Sequence, residues 1–228
     1  MFIGHWAAAF AAAAAHKRAP KLGTLFVAAQ LVDWGFYALA TVGVEKMRIV
    51  PGATTMNPLD LYHMPYTHSL LGSSLWAIAF AIVLLAWRRD PLTAGIGGMV
   101  VLSHWLLDLV VHRPDLTLAG HAPRLGFGLW NLPEVAIPLE ILLTLGAFAL
   151  YVRRTKGPIG PPLILISLLC AMQAINWFGP PPESAGPALY LTALAAFALA
   201  TWVASWVGNT RWHKHEVGLG VATWRRHG

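Results

Sequence analysis

Ser103-His-Trp-Leu-Leu-Asp-Leu-Val-Val-His-Arg-Pro-Asp115 decides the reading of this chain, because it sets ionisable side chains into an apolar run of membrane-crossing length. His104, Asp108 and His112 recur at i, i+4 and i+8, so at 100° per residue they line one stripe of a helix. Imidazole nitrogen and carboxylate oxygen are the usual non-sulfur zinc ligands, and such a stripe suits a transition metal. Ionisable groups are costly in lipid, so a residue of this kind inside a span points first to function. The plainer alternative is a polar cluster in which His104 and Asp108 satisfy each other between helices. Pro114 predicts the end of the helix, which leaves open that His112 simply sits in the wet interface.

The rest of the chain is as apolar as that stretch. Hydrophobic residues make up 57% of the 228 residues and charged ones 11%, and the mean hydropathy is +0.57. Soluble domains do not have this balance, so the expectation is an integral membrane protein, an all-α helical bundle. Apolar runs predict about seven spans, at 2–15, 22–44, 67–87, 91–111, 133–152, 161–178 and 187–207. The first is short and expected to lie tilted or shallow. Pro138 in the fifth and Gly95, Gly97 and Gly98 in the fourth predict kinks or close packing. With no internal repeat, residues 1–208 read as one transmembrane domain and 209–228 as a basic cytoplasmic tail.

A net charge of +6 would suit a nucleic-acid partner if it formed one patch, but it does not. Lys17, Arg18, Lys21, Arg88, Arg89, Arg153, Arg154, Lys156, Arg211, Lys214, Arg225 and Arg226 fall in alternate loops and the tail, twelve of sixteen basic residues. The positive-inside rule then places the N-terminus outside and the C-terminus in the cytoplasm. The charge is therefore a topology signal, and nucleic acid is not an expected partner. The single cysteine, Cys170, lies in the sixth apolar run and reads as a core residue.

Other polar residues join the opening stretch. His5 stands near the outer end of the Ala-rich first run, and Asp33 lies in the second span, where a lone carboxylate must be protonated or paired. The segment 46–66 is turn-rich and long enough to cover the outer face. Beyond it, Thr67 or Ser69 is expected to cap the third helix with His68 at its mouth, while His63 precedes in a loop. Glu45 reads as a solvated charge, Asn131 and Glu134 as turn and helix-start residues, and Glu140 as an expensive buried carboxylate. Helix rise gives a depth test. His5 lies thirteen residues from Arg18, Asp33 twelve from Lys21, His104 and Asp108 fourteen and eighteen from Asp90, and His68 twenty from Arg88. At about 1.5 Å per residue, all sit roughly 18–30 Å from the basic side, at one level. Four helices thus carry metal-type ligands to the same depth.

The chain resembles the membrane-bound predicted metal-dependent hydrolases of bacteria, the YdjM-like group, over about its first 140 residues. The matching features are Gly4-His5, Asp33, Thr67-His68-Ser69-Leu70-Leu71 and Ser103-His104-x-x-Leu107-Asp108. The resemblance implies a zinc-type site and a hydrolytic activity in a bacterial inner membrane. It departs at the acidic cluster of that group, which Asp33 alone represents, and this puts a second metal in doubt. The expectation is a metal-dependent hydrolase with a divalent metal, zinc by preference, on His5, Asp33, His68, His104 and Asp108, and with His63 and His112 moving protons. Its site opens to the outer face, and its depth suggests a lipid-linked ester or phosphoester. The alternatives are an accessory subunit bound to a membrane-protein partner, in which the cluster ties helices together, and a small cation or proton transporter.

Overall fold

The computed structural model describes residues 1–214, so His215, Trp224, Arg225 and Arg226 of the expected tail lie outside the described residues. Seven helices follow in order: α1 His5–Ala15, α2 Leu22–Thr41, α3 Leu70–Arg88, α4 Pro91–Val111, α5 Pro133–Arg154, α6 Gly160–Phe178 and α7 Pro187–Thr210. The last six are long and apolar enough to cross a membrane, which makes a multi-pass membrane protein. The first is not. Its 11 residues rise about 16 Å, roughly half the hydrocarbon thickness.

That short helix is the axis of the bundle. It packs against α2, α4 and α5, and its alanines let three neighbours close in around it. A helix apolar on every face is stable only when enclosed. Trp6 and Phe10 are fully buried: Trp6 stacks on Phe26 of α2 and meets Phe197 of α7 edge-on, and Phe10 meets Phe26 and Phe148 edge-on and Tyr151 of α5 at a tilt. The indole N–H of Trp6 donates to the Phe26 carbonyl, so the ring is buried without an orphaned donor.

The remaining helices pair around this axis. The helices α3 and α4 form a hairpin whose tight contact uses the expected glycines: a Cβ at Gly98 would lie 3.1 Å from the Ala77 carbonyl, and one at Gly97 would overlap Leu84. Gly23 does the same between α2 and α7, where a Cβ would stand 2.8 Å from the Ser205 Cα. Asp90 caps α4 by accepting from the Leu92 N–H, with Pro91 at the first helical position, and Ser69 caps α3 by accepting from Gly72. Of the two residues expected to cap α3, Ser69 is the one used. Cys170, expected in the core, is exposed on the outside of α6.

Loops secure both ends. At the basic end Arg18 donates to both carboxylate oxygens of Asp90, and this pairing holds the Asp90 carboxyl well below the usual carboxylate range. Lys21 reaches Asn209, and Arg211 donates to the Thr155 carbonyl beside the two-residue strand pair Thr155–Lys156 and Trp212–His213. At the other end the segment expected as a turn-rich cover is a hairpin. Strand β1, Lys46–Ile49, pairs antiparallel with β2, Leu59–His63. Beneath it Phe36, Met47, Leu61, Met64, Trp105 and Leu116 form a second apolar cluster. The Met56 N–H donates to the Trp130 carbonyl and Arg113 pairs with Asp60, tying this hairpin to the loop after α4.

Candidate metal centre

The cluster forms where α1, α2 and α4 meet the loop before α3, below the hairpin. All five residues expected as ligands arrive there. Asp108 is the centre, with oxygens facing two groups of partners. Its Oδ2 lies 3.1 Å from His104 Nε2 and 3.6 Å from His68 Nε2. Its Oδ1 lies 3.1 Å from His5 Nε2, 3.5 Å from His112 Nε2 and 2.9 Å from the Met1 amino nitrogen. Asp33 Oδ1 closes the first group at 3.3 Å from His68 Nε2 and 3.6 Å from His104 Nε2. Two triads, His5–His104–Asp108 and Asp33–His68–His104, have their donor atoms mutually within 4.8 Å. Asp33 is partly open at 19% exposure, while the other members of both triads are buried.

What fixes the rings is the outward-facing nitrogen. His104 Nδ1 donates to the Ala29 carbonyl at 2.8 Å, and His112 Nδ1 donates to Asp115 Oδ1 at 2.8 Å. His68 Nδ1 lies 2.8 Å from Thr67 Oγ1, which itself donates to Glu45 Oε2 at 2.6 Å, so the hydroxyl accepts from the imidazole. In each ring Nδ1–H is thereby committed and the Nε2 lone pair is turned toward Asp108, the arrangement that supports metal-ligating histidines. His5 stacks on His104 at 3.7 Å with only 7° between the rings. Neither nitrogen of His5 has a hydrogen-bond partner, nor has His104 Nε2. Buried polar atoms without partners are rare, and two of those found among the described residues, His5 Nε2 and His104 Nε2, each lie 3.1 Å from an Asp108 oxygen.

One residue important to this geometry reads otherwise from sequence, and a second is not singled out there. Glu45, expected to be solvated, is fully buried and accepts from the Tyr66 and Thr67 N–H groups at 2.8 and 3.0 Å as well as from the Thr67 hydroxyl. Its setting beside Lys46 and Arg48 masks this, because the partner segment lies more than twenty positions away in sequence. Asp115 also is buried, and its signal was present: it follows His112 by three residues across the Pro114 turn. Glu140, rightly expected to be buried, reaches from the interior of α5 to the start of the chain. One oxygen accepts from the Phe2 and Gly4 N–H groups at 2.6 and 3.0 Å, and Gln173 of α6 accepts from Ile3. These acceptors satisfy the amides that precede α1 and set His5 against Asp108.

Not every candidate converges. His63, expected to move protons, ends β2 as an exposed side chain and lines a separate small cavity with His121 and Arg124. His112, given the same role, belongs to the cluster itself. Asn131 accepts from the Thr55 N–H in the loops and Glu134 is exposed in the first turn of α5, as their turn and helix-start reading expects.

A cavity of about 660 Å³ adjoins the cluster. Asp33, His68, Asp108 and His112 form part of its wall, and Met172, Ile175, Leu189, Ala193 and Phe197 from α6 and α7 form an apolar part. No family model, curated protein or solved structure matches the chain.

Proposed function

We propose that the protein is a metal-dependent hydrolase of the kind the YdjM-like resemblance implies, lodged in a bacterial inner membrane with its site toward the periplasm and acting on an ester or phosphoester with an aliphatic chain. The observation that carries this reading is the spacing of four donor atoms. A tetrahedral site with arms of about 2.0–2.1 Å has edges of about 3.4 Å. The four nitrogen-to-oxygen separations among His68, His104, Asp33 and Asp108 are 3.3, 3.6, 3.6 and 3.1 Å. The unpartnered His104 Nε2 and the committed Nδ1 atoms support the same conclusion.

A divalent cation such as zinc would supply a Lewis acid and a bound water acidified toward neutrality. The chain's own residues supply the rest. Asp33 is the partly open member and presents the site to the cavity. The α6 and α7 wall offers an apolar surface within a volume typical of small-molecule sites. An amphiphile would place its polar group at Asp33 and its chain against Ala193 and Phe197.

The test is hydrolysis of a panel of carboxylic and phosphoric esters of increasing chain length by purified protein in nanodiscs. Turnover should vanish on chelation and return with zinc, and Ala193→Trp should slow long-chain substrates at least about tenfold while sparing short ones, since filling a pocket rejects groups by about 1–3 kcal/mol. Protein isolated without any transition metal, or turnover indifferent to chelation, would sink the reading. The support behind His68 makes a separate prediction. Glu45→Gln should weaken zinc binding about 10–100-fold, as loss of a ligand's hydrogen-bonded support does, measured by competition with a chromophoric chelator. An unchanged affinity would show that the Thr67–Glu45 relay does not orient His68.

A further inference from the structure

The large cavity beside the cluster has a wall that leads out of the bundle. The helices α6 and α7 are both long and apolar enough to cross the membrane, and each turns one stripe inward, with Leu165, Leu169 and Gln173 buried on α6 and Tyr190, Phe197 and Ala204 on α7. The cavity also touches residues well off those stripes. Ile175 is 71% exposed and Thr192 is exposed, yet both line it. Each stands two residues beyond a buried one, Gln173 or Tyr190, which is about 200° around the helix. A side chain that points out of the bundle on a membrane-crossing helix meets hydrocarbon. A cavity bordered by such a residue on both helices therefore has a mouth between them, and that mouth faces lipid.

Ile175 lies three residues before the end of α6 and Thr192 five after the start of α7, so the mouth is about 5–8 Å below the helix ends. The 19 residues of α6 rise about 28 Å, close to the thickness of the hydrocarbon layer, so this is the level of the first methylenes of the acyl chains. Toward the water the cavity is roofed. Met56, Asn57 and Pro58 of the hairpin and Pro180, Pro181 and Pro182 after α6 line it, and the Met56 N–H is pinned to the Trp130 carbonyl at 3.1 Å. From the mouth inward the wall is apolar, through Met172, Ala193, Ala196 and Phe197, as far as Asp33.

We propose that a bilayer lipid enters this cavity sideways, between the ends of α6 and α7 nearest the hairpin. One of its acyl chains lies along Met172, Ala193 and Phe197, with its ester end toward Asp33. A chain that passes from hydrocarbon to an apolar wall exposes no methylene to water on the way. This deepens the hydrolase reading by naming a membrane lipid as the substrate, and it rests on that reading for the chemistry alone.

The experiment is photocrosslinking of the full chain in phosphatidylcholine nanodiscs that contain a small fraction of the same lipid with a diazirine midway along one acyl chain, the labelled residues being mapped by mass spectrometry. Label is expected on Phe197, which at 3% exposure is too buried for lipid on the outer surface to touch, and on Ile82 of α3, an exposed residue that reports ordinary lipid contact. Thr192→Trp fills the mouth from an exposed position and should cut the Phe197 label at least about tenfold, since filling a pocket rejects a group by that order, with the Ile82 label unchanged. The wild-type measurement needs no variant and so survives misfolding of this one. Phe197 unlabelled in wild type, or labelled equally in the variant, would overturn the proposal. So would a Phe197 label obtained only with a water-soluble short-chain diazirine ester, which marks entry from the aqueous side. Phe197 labelled by lipid in a protein that hydrolyses no ester would keep the lipid site and count against hydrolysis. Ester turnover with Phe197 unlabelled would leave the proposed function intact and end this proposal.

Discussion

Asp108→Asn is expected to abolish both metal retention and turnover. This single carboxylate lies within 3.6 Å of four imidazoles and the Met1 nitrogen. An amide keeps the shape but withdraws the negative charge and presents an N–H₂ to lone pairs that want a cation. Lewis-acid polarisation contributes several kcal/mol to such reactions. At about 1.4 kcal/mol per factor of ten, the loss should be about 10³-fold or more. Zinc content and steady-state hydrolysis on the same preparation check it. A variant that keeps its metal and more than about a tenth of its activity would remove Asp108 from the centre of the site.

The second large effect is on stability. Glu140→Ala should destabilise the bundle by about 2–4 kcal/mol, because the buried Gly4 amide loses its acceptor at about 1–3 kcal/mol and the half-buried Phe2 amide at about 1 kcal/mol. Both amides bond the same oxygen of Glu140. For a chain of this size, thermal unfolding should fall by about 5–15 °C. Glu140→Gln keeps an acceptor oxygen and should recover most of the loss. The alanine variant should also lower metal affinity, since the segment it releases carries His5. A melting temperature unchanged in the alanine variant would show that Glu140 does not anchor this segment.

Much of the site was legible in the sequence because membrane helices turn position into depth. His5, Asp33, His104 and Asp108 are helix-borne, so counting from the basic residues predicts one level, and the structure brings all four together. His68 was legible from its place beside the cap of α3. The failures fall on loops, where rise per residue gives no such ruler. Glu45 lies close to two cations in sequence, yet its carboxylate accepts from the Tyr66–Thr67 segment, a pairing imposed by the hairpin between them. That hairpin was itself hidden in a segment whose Pro, Gly and Asn residues read as turns. His63 has the residue type of a catalytic group, but it ends a strand as an exposed side chain and lines a cavity other than the one that the cluster borders. The apolar run 2–15 shows the limit of composition. Hydropathy marks the segment as membranous, whereas its alanine content and enclosure by α2, α4 and α5 make it an interior post.

That post carries an implication for biogenesis. The segment before α1 lodges against α5, whose anchoring carboxylate at position 140 is synthesised well over a hundred residues after it. Until that helix has been inserted, His5 has no fixed address, and the cluster around Asp108 stays incomplete. Closure of the polar cluster is therefore a late event, which waits until most of the polypeptide has already been threaded into lipid.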